Sequence, residues 1–214
     1  MARTQPFDEH PDGYDKWFEN HLYVYLSEVQ ALRSLIPPRK KGVEIGVGTG
    51  RFAHPFGIKD GVEPSSEMRR LALGKGLRVH DAVAEALPFQ DKTFDFALMV
   101  TTICFVDDVR KCFEEVYRIL KTDGCFVLGM VDGNSSLGQT YQRIKNGSKF
   151  YSVATFYTID DVIALLDETG FGDVKIVQTV FGDLSTIGDV QPYRDGYGVG
   201  GFVAISAMKM APSA

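Results

Sequence analysis

The first pattern along the chain is a helical spacing of apolar residues near the amino terminus. Apolar side chains recur every three or four positions at Tyr14, Phe18, Leu22, Tyr25, Val29 and Leu32. This period predicts one amphipathic helix over residues 14–35, which Pro37 and Pro38 end. Residues 1–13 are polar and contain two prolines, so we expect a frayed tail there.

Short apolar strands then alternate with helices. The pattern predicts strands at 42–46, 61–63, 77–79, 94–100, 125–131, 174–181 and 202–208, and helices at 65–73, 108–120, 137–144 and 158–168. Residues 94–100 are almost continuously apolar, as a strand buried on both faces of a parallel sheet should be. The alternation predicts an α/β doubly wound sheet with helices on both faces.

A glycine-rich turn follows the first predicted strand. In doubly wound sheets the ligand lies beyond the carboxyl ends of the strands, beside the first strand. Gly46, Gly48 and Gly50 remove side chains where the backbone must turn tightly and approach a ligand. Taken alone, such a turn fits a binding loop and a simple strand-to-helix connection equally well.

The residues around this turn separate its possible ligands. A phosphate-binding P-loop would end in Gly-Lys-Ser/Thr, and that sequence does not follow here. A dinucleotide fingerprint would need a third glycine where Arg51 stands. Glu44, two residues before the first glycine, would repel a pyrophosphate but suits a ligand with an ammonium or sulfonium group. The turn therefore favours a cationic cofactor over a nicotinamide dinucleotide.

Charge and composition limit the classes of binding partner that we expect. The net charge of the 214 residues is −5, which argues against a nucleic-acid partner. No apolar run approaches the ~18 residues that span a bilayer, so we expect no membrane partner. The three cysteines match neither a zinc nor a disulfide pattern, which predicts free thiols, no metal and a cytoplasmic location.

Several motifs together resemble one family. They are Glu44-x-Gly46-x-Gly48-x-Gly50, Gly61-Val62-Glu63-Pro64-Ser65, Ala84-Glu85-Ala86-Leu87-Pro88-Phe89, Phe94-Asp95 and Tyr117-Arg118-Ile119-Leu120-Lys121-x-x-Gly124. In this order, over residues 40–130, they resemble the class I S-adenosylmethionine-dependent methyltransferases, most closely the small-molecule, methyltransferase type 11 group. The resemblance implies a Rossmann-like, mostly parallel seven-stranded sheet whose last strand is antiparallel.

The resemblance also implies a site for S-adenosylmethionine, whose product is S-adenosylhomocysteine. The implied residues are Glu44, Gly46, Val47, Gly48, Thr49, Glu63, Pro64, Met68, Ala84, Glu85, Thr101 and Thr102. Glu44 would orient the ammonium group of the cofactor, and Glu63 would accept hydrogen bonds from both ribose hydroxyls. Met68 would pack on the adenine, and the two threonines would lie under the methyl-donor end.

At two positions the chain departs from the family pattern. Val83 stands where the family often carries Asp, so the adenine amino group would be bound by Glu85, by Asp81 or by backbone atoms. Phe105 stands where many relatives have His, so no general base is offered there. His21 and Tyr25 remain weak candidates for a catalytic role. Cys104 is interpreted as a buried thiol.

The expected organisation is a single domain over residues 14–214. Its parts are an amino-terminal helix or lid (14–36), a cofactor-binding core (40–131), an insertion (132–157) and a carboxyl-terminal helix and strand pair (158–214).

A small-molecule acceptor would contact aromatic residues of the first helix (Tyr14, Trp17, Phe18, His21, Tyr25), of the insertion (Tyr141, Phe150, Tyr151) and of the last loop (Tyr193, Tyr197). The expected activity is in-line methyl transfer. The alternatives are a non-catalytic cofactor-binding protein and an NAD-dependent oxidoreductase.

Overall fold

A mixed sheet with helices on both faces forms the protein. The structure is a computed structural model and describes residues 3–211. The strands are β1 (Gly42–Ile45), β2 (Asp60–Val62), β3 (Arg78–His80), β4 (Phe94–Val100), β5 (Leu120–Val131), β6 (Phe171–Thr179), β7 (Arg194–Asp195) and β8 (Phe202–Lys209). The helices are α1 (Gln5–Glu9), α2 (Pro11–Asn20), α3 (Leu22–Leu35), α4 (Ser66–Gly74), α5 (Val109–Ile119), α6 (Ser136–Ile144) and α7 (Ile159–Glu168).

The strand order is β3-β2-β1-β4-β5-β8-β6-β7. Strands β1 to β5 pair in parallel, and β8 lies antiparallel between β5 and β6. The doubly wound architecture and the antiparallel last strand are therefore confirmed. The sheet has one strand more than the predicted seven, because two residues of the last long loop pair with Gln178 and Val177 at the edge.

Both faces of the central strands are buried. Along β4, Ala97 and Met99 pack in the cluster that contains α5 and α7, whereas Phe96 and Leu98 pack in the cluster that contains α3. Successive side chains of a strand point to opposite faces, so burial on both faces requires an unbroken apolar run. This is the physical reason that residues 94–100 could be recognised as a central strand.

The amino-terminal prediction needs two corrections. Residues 5–9 and 11–20 are helical, so the expected frayed tail does not exist from residue 3 onward; Met1 and Ala2 lie outside the described residues. Pro6 and Pro11 stand in the first turns of α1 and α2, where a missing N–H costs nothing. The two prolines that suggested an unstructured segment therefore mark the beginnings of two helices.

The single helix expected over residues 14–35 is two helices. His21 interrupts it with φ −122° and ψ 45°, outside the helical region. Leu22, counted in the apolar stripe, is 49% exposed after this break. The apolar spacing continues across the break and neither Pro nor Gly marks it, so the pattern could not reveal it.

Gly129 in β5 leaves room for side chains of α3 and of the neighbouring strand β8 to approach the backbone closely. A Cβ atom there would lie 2.6 Å from Cζ of Phe202 and 3.1 Å from Cδ2 of Leu32. We expect Gly129→Ala to lower the free energy of unfolding by about 1–3 kcal/mol through overpacking. Gly147→Ala, where a Cβ would meet nothing within 4 Å, is the control. Urea unfolding of both variants checks this, and equal stabilities would contradict it.

Candidate functional site

A cavity of about 600 Å³ opens at the carboxyl ends of β1, β2 and β4. Nine residues of the predicted cofactor site line it: Gly46, Gly48, Glu63, Pro64, Met68, Ala84, Glu85, Thr101 and Thr102. Three others, Glu44, Val47 and Thr49, are buried next to the lining glycines and do not line the cavity themselves. The strand ends thus bring nearly all the predicted positions to one place, as the topology of a doubly wound sheet requires.

The glycine-rich turn is shaped by close neighbours. Gly46 and Gly48 have φ values of +69° and +54°, which L side chains rarely adopt. A Cβ at Gly46 would lie 2.3 Å from Cγ2 of Thr102, and one at Gly48 would lie 3.3 Å from the Tyr14 hydroxyl. The turn therefore exposes bare backbone to the cavity, as close approach of a ligand requires.

Glu63 joins the end of β2 to this turn. Its Oε2 accepts a hydrogen bond from the N–H of Gly48, and its Oε1 accepts one from the N–H of Ser65, both at 2.9 Å. The residue is only 8% exposed, and burial raises the pKa of its carboxyl to about 7. The carboxylate is fixed in place, and each oxygen retains a lone pair for a ligand.

Glu44 is a buried acid without a cation. It is 1% exposed, and no described group donates a hydrogen bond to its Oε2. Burial raises the pKa of this carboxyl well above its usual value, and the nearby Glu63 adds to the effect. Within the described residues Glu44 has no basic neighbour, and of basic side chains only Arg69 acts on Glu63. Two buried acids so weakly compensated suit a ligand that brings its own positive charge. The ammonium group and the ribose hydroxyls of S-adenosylmethionine are hydrogen-bond donors that match these two carboxylate acceptors.

Helices α1 and α2 lie over the turn, and we name these two helices the lid. The lid predicted at residues 14–36 included α3, which packs on β5, β6 and β8 instead. At one end the Ser65 hydroxyl donates to Asp8 at 2.7 Å. At the other end Asp15 accepts hydrogen bonds from the Thr49 hydroxyl, from Nε of Arg51 at 3.0 Å and from Nζ of Lys75 at 3.1 Å. The side chain of Thr49 thus holds the lid.

The two weak catalytic candidates lie outside the cavity. Nδ1 of His21 is 3.0 Å from the carbonyl oxygen of Trp17, and its ring stacks on the Trp17 indole. The hydroxyl of Tyr25 donates to the carbonyl oxygen of Arg51 at 2.7 Å. Neither side chain lines the cavity. Both polar groups instead serve the junction between α2, α3 and the glycine-rich turn, so this geometry gives no support to a catalytic role for them.

The two acidic side chains expected near the adenine edge both have partners within the protein. Oε1 of Glu85 accepts hydrogen bonds from the N–H groups of Asp107 and Asp108, at 2.9 and 3.2 Å, so it anchors the loop before α5. Asp81 pairs with Arg69 at 2.9 Å and does not line the cavity. Of the three possibilities for the adenine amino group, backbone atoms fit this geometry best.

Two polar side chains after β4 have local roles. The Thr102 hydroxyl is within hydrogen-bond distance of the carbonyl oxygens of Val100 (3.0 Å) and Gly46 (3.3 Å) and ties β4 to the glycine-rich turn. The Cys104 thiol donates to the carbonyl oxygen of Thr101, and burial raises its pKa to about 12. The residue is half-buried and not fully buried as expected, and its raised pKa disfavours the reactive thiolate.

The rest of the cavity is largely aromatic. Tyr14, Trp17, Phe18, Tyr141, Phe150 and Tyr151 line it, as expected from their positions in the sequence. Tyr193 and Tyr197 do not, and the Tyr197 hydroxyl donates to Asp160 at 2.6 Å. Glu28 of α3 lines the cavity and was not predicted. The signal was present, because Glu28 lies four residues from both Val24 and Leu32 on the buried stripe of its helix.

Residues 3–211 lack two features that would define other classes of site. Within residues 3–211, no group of three or more His, Cys, Asp or Glu side chains is placed to hold a metal ion. Over the same residues, no helix combines the length and the apolar character needed to cross a membrane.

Fold and site together fit a protein that binds a nucleotide-like cofactor at the strand ends, and comparison with known proteins gives the class. Residues 43–128 match the methyltransferase domain family model. A crystal structure of a SAM-dependent methyltransferase, possible histamine N-methyltransferase, from Thermotoga maritima superposes with a TM-score of 0.94 and 46% sequence identity, covering 96% of this chain and 99% of that one.

Two further comparisons cover nearly the whole chain. An uncharacterized protein of Methanocaldococcus jannaschii is 45% identical over 95% of this chain and 98% of its own length. Haemonchus contortus phosphoethanolamine N-methyltransferase 2 in complex with S-adenosyl-L-methionine shares the fold, with a TM-score of 0.68 and 18% identity over 98% of this chain and 59% of that one. The chain belongs to the class I S-adenosylmethionine-dependent methyltransferases, whose cofactor is S-adenosylmethionine.

The buried acids predict an unusual pH dependence of stability. The pKa values of Glu63 (about 7) and Glu28 (about 8) lie above the usual 4.5, so between these values the folded state binds more protons than the unfolded state. The free energy of unfolding should therefore fall as the pH rises from 5 to 8, by at most about 1.4 kcal/mol per pH unit for each acid. Acids with lowered pKa values, such as Asp15, titrate below 3.8 and do not act in this window.

Urea unfolding of the ligand-free protein at several pH values measures this slope, and Glu63→Gln should make it shallower. A free energy of unfolding that rises steadily from pH 5 to 8 would show that these acids are ionised and compensated in the folded state.

Proposed function

We propose that the protein transfers the methyl group of S-adenosylmethionine to a small-molecule acceptor by in-line displacement. The observation that carries this proposal is the pair of buried acids, Glu44 and Glu63, at a glycine-rich turn that opens into a cavity of about 600 Å³. Cavities of ~300–1,000 Å³ are typical of small-molecule sites. The cavity extends to α3 and α6 beyond the cofactor residues, which leaves a place for an acceptor.

In this proposal each cofactor group meets a defined part of the chain. Glu44 orients the ammonium group, and the backbone of residues 46–49 faces the methionine portion. The carboxylate of Glu63 accepts the ribose hydroxyls, and Pro64 and Met68 pack on the adenine. Backbone atoms at Ala84 bind the adenine amino group.

The chain's contribution to the reaction is positioning. The bound cofactor supplies a methyl group on a sulfonium, a leaving group that is already activated. The protein has to hold the acceptor in line with that methyl carbon, and alignment of this kind can lower a barrier by ~7–11 kcal/mol. The aromatic side chains of the lid exclude water from the cavity, and Thr101 and Thr102 shape its floor after β4.

Two other functions are less well supported. A non-catalytic cofactor-binding protein would not need the part of the cavity beyond the cofactor residues. An NAD-dependent oxidoreductase would bring a pyrophosphate close to the uncompensated Glu44 carboxylate, and Arg51, where the third glycine would stand, is engaged by Asp15 of the lid. A thermal-shift comparison of S-adenosylhomocysteine with NADH, followed by labelled methyl transfer to a metabolite panel, separates these functions.

The acceptor and the location are also proposals. The Thermotoga maritima neighbour is a possible histamine N-methyltransferase, and a Caenorhabditis elegans relative, 28% identical over 63% of this chain, is phosphoethanolamine N-methyltransferase 2. These names support a small acceptor. Cys104, Cys112 and Cys125 are all unpaired, which fits a reducing compartment such as the cytoplasm.

Replacing Glu63 should weaken cofactor binding. Glu63→Ala removes an acceptor of charged hydrogen bonds, worth ~1.5–3 kcal/mol each, so we expect the Kd of S-adenosylhomocysteine to rise at least tenfold. Titration calorimetry measures it, with the exposed Glu114→Ala as the matched control. Unchanged affinity in Glu63→Ala would remove Glu63 from the cofactor site.

Loosening the lid should speed cofactor release. Asp8 accepts hydrogen bonds from Ser65 and Ser66 at the start of α4, so Asp8→Asn weakens one of the two attachments of the lid. We expect dissociation of S-adenosylhomocysteine to become several-fold faster in stopped-flow experiments, with little change in Tm. Unchanged dissociation together with unchanged tryptic cleavage at Lys16 would show that the lid is not a barrier to release.

A further inference from the structure

A third buried acid of the cavity lies on α3 and belongs neither to the glycine-rich turn nor to a strand end. Glu28 of α3 lines the cavity and is only 6% exposed. Among residues 3–211 no side chain or backbone group forms a hydrogen bond or ion pair with its carboxylate, and burial is the cause that raises its pKa to about 8. It is therefore an unpartnered acid that faces the cavity.

The groups around Glu28 are aromatic. Tyr14, Tyr141 and Tyr151 line the same cavity as Glu28. Tyr141 and Tyr151 stack with their centroids 4.4 Å apart. Rings of this kind attract a cation through their faces.

The basic side chains of the cavity lie elsewhere. Arg3 pairs with Asp107 at 3.0 Å, and Lys111 lies in the first turn of α5, behind its cap Asp108. A buried carboxylate without a positive partner destabilises a folded protein. Gln or an apolar residue in place of Glu28 would avoid that cost in stability. A ligand that supplies the positive charge would explain why an acid stands at this position.

We propose that Glu28 is the counter-ion of a protonated amine on the methyl acceptor, so that the substrates are small amines with an apolar or aromatic body. This inference rests on the proposed function, because it takes this part of the cavity as the acceptor subsite. Tyr14 of α2 lines the cavity as well, and its hydroxyl would lie 3.3 Å from a Cβ atom on Gly48 of the glycine-rich turn. A carboxylate acceptor would be repelled at Glu28, and a neutral alcohol would leave its charge uncompensated.

Binding to protein saturated with S-adenosylhomocysteine tests this assignment. The probes are 2-phenylethylamine and 1,4-diaminobutane, with 2-phenylethanol and 3-phenylpropanoate as neutral and anionic counterparts. We expect at least one amine to bind at least tenfold more tightly than both counterparts. Glu28→Gln should remove that preference, whereas Glu114→Gln, the same change at an exposed site on α5, should keep it.

Three results would overturn the inference: no preference for an amine, binding of neither amine, or an amine preference that survives in Glu28→Gln. Failure of S-adenosylhomocysteine to bind would instead overturn the proposed function, so the two failures are distinguishable.

Stability gives a second readout that does not depend on the choice of amine. If Glu28 is kept for a ligand, Glu28→Gln removes an uncompensated carboxyl and should raise the Tm of the ligand-free protein by about 2–4 °C. A fall in Tm of similar size would assign Glu28 a structural role and contradict the inference.

Discussion

The hydrogen bonds of the Glu63 carboxylate organise the site. One oxygen holds the N–H of Gly48 in the glycine-rich turn, and the other holds the N–H of Ser65 at the cap of α4. The Ser65 hydroxyl in turn binds Asp8 of the lid. Strand β2, the turn, α4 and α1 are thus joined through one buried acid, whose desolvation is compensated only in part by these bonds.

Two further buried acids, Glu44 beside the glycine-rich turn and Glu28 in the cavity, are also poorly compensated. Glu44, Glu63 and Glu28 are each more than nine-tenths buried, and burial raises the pKa of all three. Such groups lower the stability of the ligand-free protein. Their presence is explained if the protein binds a cationic cofactor at one part of the cavity and a second ligand at another. The cost in stability and the selectivity for positive charge then have the same origin.

The sequence predicted the parts of this arrangement that depend on local pattern. Residues 94–100 could be recognised because burial on both faces requires an unbroken apolar run, and the glycine-rich turn because only glycine tolerates its backbone. The lid could not be foreseen in full, because Pro6 and Pro11 start helices whose stability comes from contacts with Ser65 and with residues 49–51. The position of Glu28 on the buried stripe of its helix could have been read from the sequence, but only the folded cavity shows that its carboxylate has no partner.

The central claim is that Glu44 and Glu63 recognise the cofactor as buried acids whose pKa values are raised before binding. Calorimetric titration of S-adenosylhomocysteine at pH 6.5–7, repeated in buffers of different ionisation enthalpy, counts the protons exchanged on binding. The account predicts net proton release, because the ammonium group and the ribose hydroxyls stabilise the ionised carboxylates, and it predicts less release in Glu63→Gln. Binding without proton release, or with proton uptake, would contradict it.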